Sequence, residues 1–175
     1  MINSASSISV NEQVHPITLV SFSSRKPFDE VIADFEKQLG RLDEEQAFAS
    51  PDLPGAIRKM EGTSGLMIIR VLDMDHLVPA LTVSSTRARQ YLVGNPLIAS
   101  KMAAFDSLAA LYAPPRVLIY TRDAATQISY DKPSSIFGRL SHDEILQTAK
   151  DLDQKFELIA RQALEIEVDT NHGSR

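Results

Sequence analysis

The stretch Arg89-Gln90-Tyr91-Leu92-Val93-Gly94-Asn95-Pro96-Leu97-Ile98-Ala99 joins two kinds of structure with almost nothing between them. Arg89 to Val93 reads as a strand, and Leu97 onward as a helix. Between them Gly94 supplies a backbone conformation other residues resist, and Asn95 is a good helix cap. Pro96 occupies the first helical position, where its missing N–H costs nothing. A strand running straight into a capped helix predicts a mixed fold, and the rest of the chain supports an α+β domain.

Moving outward, Leu97 to Phe105 and Ser107 to Tyr112 predict two short helices carrying Ile98, Met102, Leu108 and Leu111 inward, stopped by Pro114-Pro115. Val117 to Tyr120 predicts a buried strand, Asp123-Ala124-Ala125 a turn and Thr126 to Tyr130 a second strand, together a hairpin. On the other side, Leu66 to Leu72 predicts a central strand that ends at Asp73-Met74-Asp75-His76. Leu77 to Ala88 has no decisive pattern. His15 to Ser23 predicts a first strand with Ile17, Leu19 and Phe22 in its alternating set, and Pro27 opens a helix carrying Phe28, Val31, Ile32, Phe35, Leu39 and Leu42. Asp43 to Ser64 is polar and broken by Pro and Gly, with one helical turn expected near Ala56 to Met60.

The last element has the strongest periodicity. Ser141-His142-Asp143-Glu144 has the form of a capping box, and Ile145, Ala149, Leu152, Phe156, Ile159 and Ala163 follow as one apolar stripe. A helix from there to about Glu167 would span roughly 40 Å. Such a helix either packs across the sheet or lends Phe156 and Ile159 to a second subunit as a homodimer contact. The chain divides into a mobile tail at 1–13, a single α+β domain at 14–168 and a disordered C-terminus at 169–175.

Composition narrows the function classes. The sequence has no cysteine, which excludes disulfides, thiolate metal sites and Cys nucleophiles and fits a reducing compartment such as the cytoplasm. Eighteen basic against 23 acidic side chains give a net charge of −5, and the local basic cluster of Arg87 with Arg89 is small. No phosphate-neutralising face for nucleic acid is therefore expected. No segment approaches the roughly 20 apolar residues of a membrane span, so no membrane association is expected. No glycine-rich phosphate loop and no nucleophile elbow occurs, and neither Ser134-Ser135 nor His15 and His142 suggest a triad. No cofactor is indicated.

The residues Gly65-Leu66-Met67, Asp75-His76, Gly94-Asn95-Pro96-Leu97-Ile98-Ala99 and Met102 fall in a characteristic order with two later runs. These are Ala113-Pro114-Pro115-Arg116-Val117 and Tyr130-Asp131-Lys132-Pro133-Ser134-Ser135. Together they resemble the domain-of-unknown-function family 302, in its fungal-type branch, over about half the chain. The resemblance implies a single α+β domain whose mainly antiparallel sheet is covered by helices, and it implies no agreed activity. That branch often has Gly after Asp-His, where this chain has Leu77.

Candidate chemistry gathers at two places. Asp73 and Asp75 share a face of an extended segment and stand beside His76, a pattern suited to general acid–base work by Asp75 and His76, to ligand contact by Asp73, or simply to a capped strand end. The three groups are also of the types that hold a divalent cation, although no metal site is assigned to them. Asn95 either caps its helix or presents free N–H groups to a ligand oxygen. Arg116, Tyr120 and Tyr130 lie in or beside the hairpin, where Arg116 would clamp a carboxylate or pair with Asp131, and the Tyr hydroxyls would point into a pocket or pack across strands. The leading reading is a small-ligand binding or accessory protein with a cleft at Asp75, His76, Asn95, Arg116 and Tyr130. The alternatives are a cofactor-free acid–base enzyme, isomerase or cyclase in type, acting on an apolar metabolite, and a dimeric interaction module.

Overall fold

The structure is a computed structural model that describes residues 8–77 and 86–165; expectations falling on 1–7, 78–85 and 166–175 lie outside the described residues. Residues 8–13 are exposed and belong to no strand or helix. β1 (Leu19–Ser24) follows. Of the set the sequence suggested, Ile17 and Leu19 are exposed, whereas Phe22 packs against the core together with Val20. With a side-chain period of two, a one-residue error in phase turns the wrong set inward.

Helix α1 (Phe28–Glu36) buries Phe28, Val31, Ile32 and Phe35 and ends earlier than its apolar spacing suggested. The chain instead enters a two-residue strand, β2 (Gly40–Arg41). Gly40 is required there because a Cβ would lie 1.6 Å from the carbonyl oxygen of Met60. The polar segment beyond holds two helices where one turn was expected, α2 (Glu44–Ala49) and α3 (Leu53–Lys59). Each starts at an aspartate: Asp43 accepts from the Gln46 N–H at 2.9 Å, and Asp52 from the Gly55 N–H at 3.0 Å. Ala47 and Ile57 bury themselves on Met67 in a small second cluster.

β3 (Met67–Asp73) leads into one helical turn, α4 (Met74–Leu77), and the chain returns along β4 (Ala88–Gly94). Next come α5 (Pro96–Phe105), α6 (Ala109–Tyr112), and the hairpin of β5 (Arg116–Arg122) and β6 (Ala125–Asp131). Asp123 and Ala124 make its two-residue turn with φ of 51° and 58°, the left-handed pair that suits the twist of a tight hairpin. Of the residues expected inward here, Met102 is buried, whereas Leu108 and Leu111 are exposed because α6 is a single turn that buries Ala109.

The six strands run in the order β1-β6-β5-β4-β3-β2. Every pairing is antiparallel except β2 with β3, so the sheet is mixed but mainly antiparallel, as expected for an α+β domain. After β6 come α7 (Pro133–Phe137), a 3₁₀ turn (Gly138–Leu140) and the long helix α8 (Asp143–Leu164). The expected capping box does not form: Ser141 is left-handed, His142 occupies the cap position, and no side chain closes the helix start. All six stripe residues, Ile145, Ala149, Leu152, Phe156, Ile159 and Ala163, are buried in the main core. At 22 residues the helix spans roughly 33 Å and crosses the sheet. Phe156 and Ile159 are therefore engaged within the subunit and do not face outward for a second copy.

Candidate functional site

At the end of β4 the chain turns into α5 over a carbon-lined hollow. Asn95 is buried and caps α5, its Oδ1 accepting from the Leu97 N–H at 2.9 Å. Its Nδ2 donates to Glu61 Oε1 at 2.7 Å and to the Gly65 carbonyl at 3.0 Å, which ties α5 to the loop before β3. Gly94 faces Pro114 so closely that a Cβ would stand 3.2 Å from the Pro114 Cβ. The Val93 N–H donates to the Pro115 carbonyl at 3.0 Å, and the Ala113-Pro114 peptide is cis. Ile98, Ala99 and Met102 of α5, Pro114, and Leu152 and Phe156 of α8 enclose a cavity of about 220 Å³. Among the described residues no ionisable side chain lines it.

The turn and the two helices that enclose this hollow lie within one matched stretch of the chain. Residues 52–163, from the start of α3 nearly to the end of α8, match the family model described as Domain of unknown function DUF302. The chain belongs to this family. The crystal structure of an uncharacterized conserved DUF302 protein from Bacillus stearothermophilus superposes with a TM-score of 0.59 at 15% identity. The alignment covers 83% of this chain and 97% of that one, and at this identity it speaks for the fold alone. No curated protein matches the chain significantly.

The acidic residues lie elsewhere. Register places Gly94 opposite Met67 but Arg89 opposite Asp73, six residues along the strand. That is roughly 20 Å of extended chain. Asn95 and the Asp73–His76 turn thus stand at opposite ends of the β3–β4 pair, and the single cleft expected between them does not form. The Asp75 carboxylate accepts from the Ala88 N–H at 2.6 Å and from Arg87 Nε at 3.3 Å, and the Asp73 carboxylate accepts from the Asp75 N–H at 3.1 Å and from Arg89 at 3.2 Å. The backbone of His76 lies in α4, and its side chain is outside the described residues. Among the described residues no group of three or more His, Asp or Glu is arranged to hold a metal ion, and no helix is long and apolar enough to cross a membrane.

Arg116, Tyr120 and Tyr130 border a broad concavity on the sheet face opposite α1 and α8, with Met74 of α4 at its rim. Arg116 is exposed and makes no ion pair with Asp131. The Tyr120 hydroxyl donates to Gln127 Oε1 at 2.7 Å. Tyr130 has its ring in the core, 5.3 Å from Phe156 and 6.5 Å from Phe22. Burial and the Glu157 and Asp153 carboxylates push its hydroxyl well above the ordinary tyrosine range.

Sequence reasoning missed how fully the polar groups pair with one another. Arg87 and Arg89 looked like a small basic cluster. In the fold Arg87 donates to Asp29 at 2.7 Å and lies 4.4 Å from the Phe28 ring, while Arg89 bridges Asp73 and approaches Glu36 at 3.9 Å. Glu36 also accepts from the Tyr91 hydroxyl at 2.8 Å. The opposite signs on facing strands carried that signal, but only once the register was known.

These pairs give the protein an acid limit. The Arg87 hydrogen bond holds the Asp29 carboxyl below its ordinary value, and Lys26 does the same for Asp34. Groups depressed in the folded state bind fewer protons than in the unfolded chain, so their contribution is present above the unfolded value of about 4 and is lost as pH falls through the folded one. Urea midpoints are expected to fall below pH about 4, and Arg87→Gln is expected to make that fall shallower. An unchanged slope would show that the Arg87–Asp29 pair contributes nothing.

Proposed function

We propose that the protein binds a small apolar ligand in the cavity at the Gly94-Asn95-Pro96 turn. The observation that carries this reading is a preformed hollow of about 220 Å³ bounded by carbon and, among the described residues, free of ionisable side chains. A carbon-lined cavity of roughly 150 Å³ accommodates benzene, so a single-ring or short branched hydrocarbon skeleton matches this one. The turn that makes the family recognisable supports the cavity rather than reacting with its contents. Gly94 permits the close approach of Pro114, and Asn95 has both amide hydrogens and its oxygen engaged in holding α5 in place. Among the described residues the wall offers no acid or base for turnover, which favours a binding or accessory role over acid–base catalysis at this site. The Asp75-His76 pair and the run from Gly94 to Ala99 support placement in the fungal-type branch, and the cysteine-free composition favours a cytoplasmic setting.

Thermal unfolding with p-xylene as the probe tests the reading. At a hundredfold excess over Kd, binding to the native state alone adds about 2.7 kcal/mol, or roughly 5–10 °C for a chain of this size. Ala99→Phe, which places a ring in the hollow, is expected to keep the fold and abolish the rise. An equal rise in wild type and Ala99→Phe, or none in wild type, would sink the proposal. Native mass spectrometry of freshly purified protein then reads the mass of any ligand retained from the cell.

A further inference from the structure

A second site lies beside Tyr112 of α6, and it is polar. Arg139, in the 3₁₀ turn between α7 and α8, has the one buried side-chain nitrogen or oxygen among the described residues that lacks a hydrogen-bond partner, its Nε. Such groups are rare in native proteins, because leaving a buried charged donor unpaired costs more than making its bond returns. Arg41, Arg87, Arg89 and Arg161 each hold a carboxylate within 4.0 Å, whereas Arg25, Arg58, Arg70, Arg116 and Arg122 hold none among the described residues, so what sets Arg139 apart is its buried Nε. Arg139 holds none among the described residues, and its contact is instead with the Tyr112 ring, whose centroid lies 3.9 Å from the guanidinium carbon. Stacking of this kind fixes the plane of the guanidinium without satisfying its N–H groups.

Arg139 borders a concavity of about 400 Å³, and because its Nε is sealed from the surface a ligand there would meet the outer nitrogens of the guanidinium. Leu108, Tyr112 and Leu140 give it apolar walls, and Gln13 and His15 from the segment before β1 add polar edges. One carboxylate, Asp106, also borders it, but Asp106 Oδ1 accepts from the Leu108 N–H at 2.9 Å and makes no ion pair with Arg139. We infer that Arg139 anchors a small organic carboxylate, with the carboxylate on the guanidinium and an apolar body against Leu108, Tyr112 and Leu140. A planar fork of donors matches a carboxylate better than a point charge does, and the pre-stacked side chain loses little freedom on binding. The walls of carbon favour a carboxylate with a ring or branched body over a bare inorganic anion. This site is separate from the hollow at Gly94-Asn95-Pro96, and neither depends on the other being occupied.

Benzoate is a suitable probe, with benzamide as its uncharged counterpart and inorganic phosphate as the anion without an apolar body. In nitrogen-15 spectra, the Arg139 Nε–H resonance, assigned by its disappearance in Arg139→Lys, is expected to move on titration with benzoate. Benzoate is expected to bind at least tenfold more tightly than benzamide or phosphate, and Arg139→Lys to weaken it at least tenfold, since an ammonium keeps the charge but loses the fork. The benzoate–benzamide comparison needs no variant and stands even if Arg139→Lys fails to fold. Equal affinity for benzoate and benzamide, tighter binding of phosphate, or an Arg139→Lys affinity within twofold of wild type would each overturn the assignment.

Discussion

Ile159→Ala is expected to lower the free energy of unfolding by about 2–5 kcal/mol, while the mass of the native protein in solution stays that of the wild type. Ile159 is 2% exposed and sits in the main core on α8. Truncation there removes three carbons from close-packed surroundings and leaves a hole that a helix fixed along the stripe from Ile145 to Ala163 closes only in part. An outward stripe would behave differently: alanine would weaken association and hardly affect the subunit. Urea unfolding paired with light scattering separates the two. A stability loss below about 0.5 kcal/mol together with a halved mass would restore the helix as a dimer contact. Phe156→Ala makes a useful companion, because Phe156 also borders the cavity at Gly94 and its loss enlarges an existing space.

The same helix shows which parts of the fold were legible in the sequence. Period and polarity located α8, the hairpin and the β4–α5 turn, because each is decided by residues close together in the chain: the stripe of α8, Asp123-Ala124, Gly94-Asn95-Pro96. Errors arose where a local pattern had two solutions. Ile17 and Leu19 alternate as well as Val20 and Phe22 do, and only pairing with β6 chooses between them. Ser141 matches a capping box by type but takes φ of 55°, so its hydroxyl is not placed to cap. The helix from Pro27 stops at Glu36 because Gly40 must meet Met60 backbone to backbone, a contact 20 residues away in sequence.

Site residues were harder to place for the same reason. Asp75, Asn95 and Arg116 each suggest chemistry by type, but whether they meet is a matter of register, and the β3–β4 pairing sets Asn95 roughly 20 Å along the strand from Asp73. The hollow itself leaves no polar signature. Ala113-Pro114-Pro115 reads as a helix stop, and Ile98 and Met102 read as core. Arg139 carried no signal at all, since an arginine is conspicuous only when its neighbours in space are known to be uncharged.

Asp75→Ala is expected to cost about 2–3 kcal/mol, and Asp75→Asn distinctly less. The carboxylate accepts from the Ala88 N–H at 2.6 Å, at a buried residue where β4 begins, and from Arg87 Nε at 3.3 Å. Alanine removes both acceptors, leaving the Ala88 N–H without a partner and Arg87 with Asp29 alone as its carboxylate. Asparagine keeps an oxygen where the backbone N–H needs one and loses mainly the charge toward Arg87. A structural carboxylate therefore gives the stability order wild type, Asn, Ala. A general base has no reason to produce that order: amide and alanine would be equally inactive in turnover and alike in stability. Wild-type stability in Asp75→Ala would mean that the Ala88 and Arg87 bonds are dispensable, and would leave Asp75 beside His76 free for chemistry. The measured gap between Asn and Ala then gives the contribution of the backbone bond, which is the interaction that joins α4 to the start of β4.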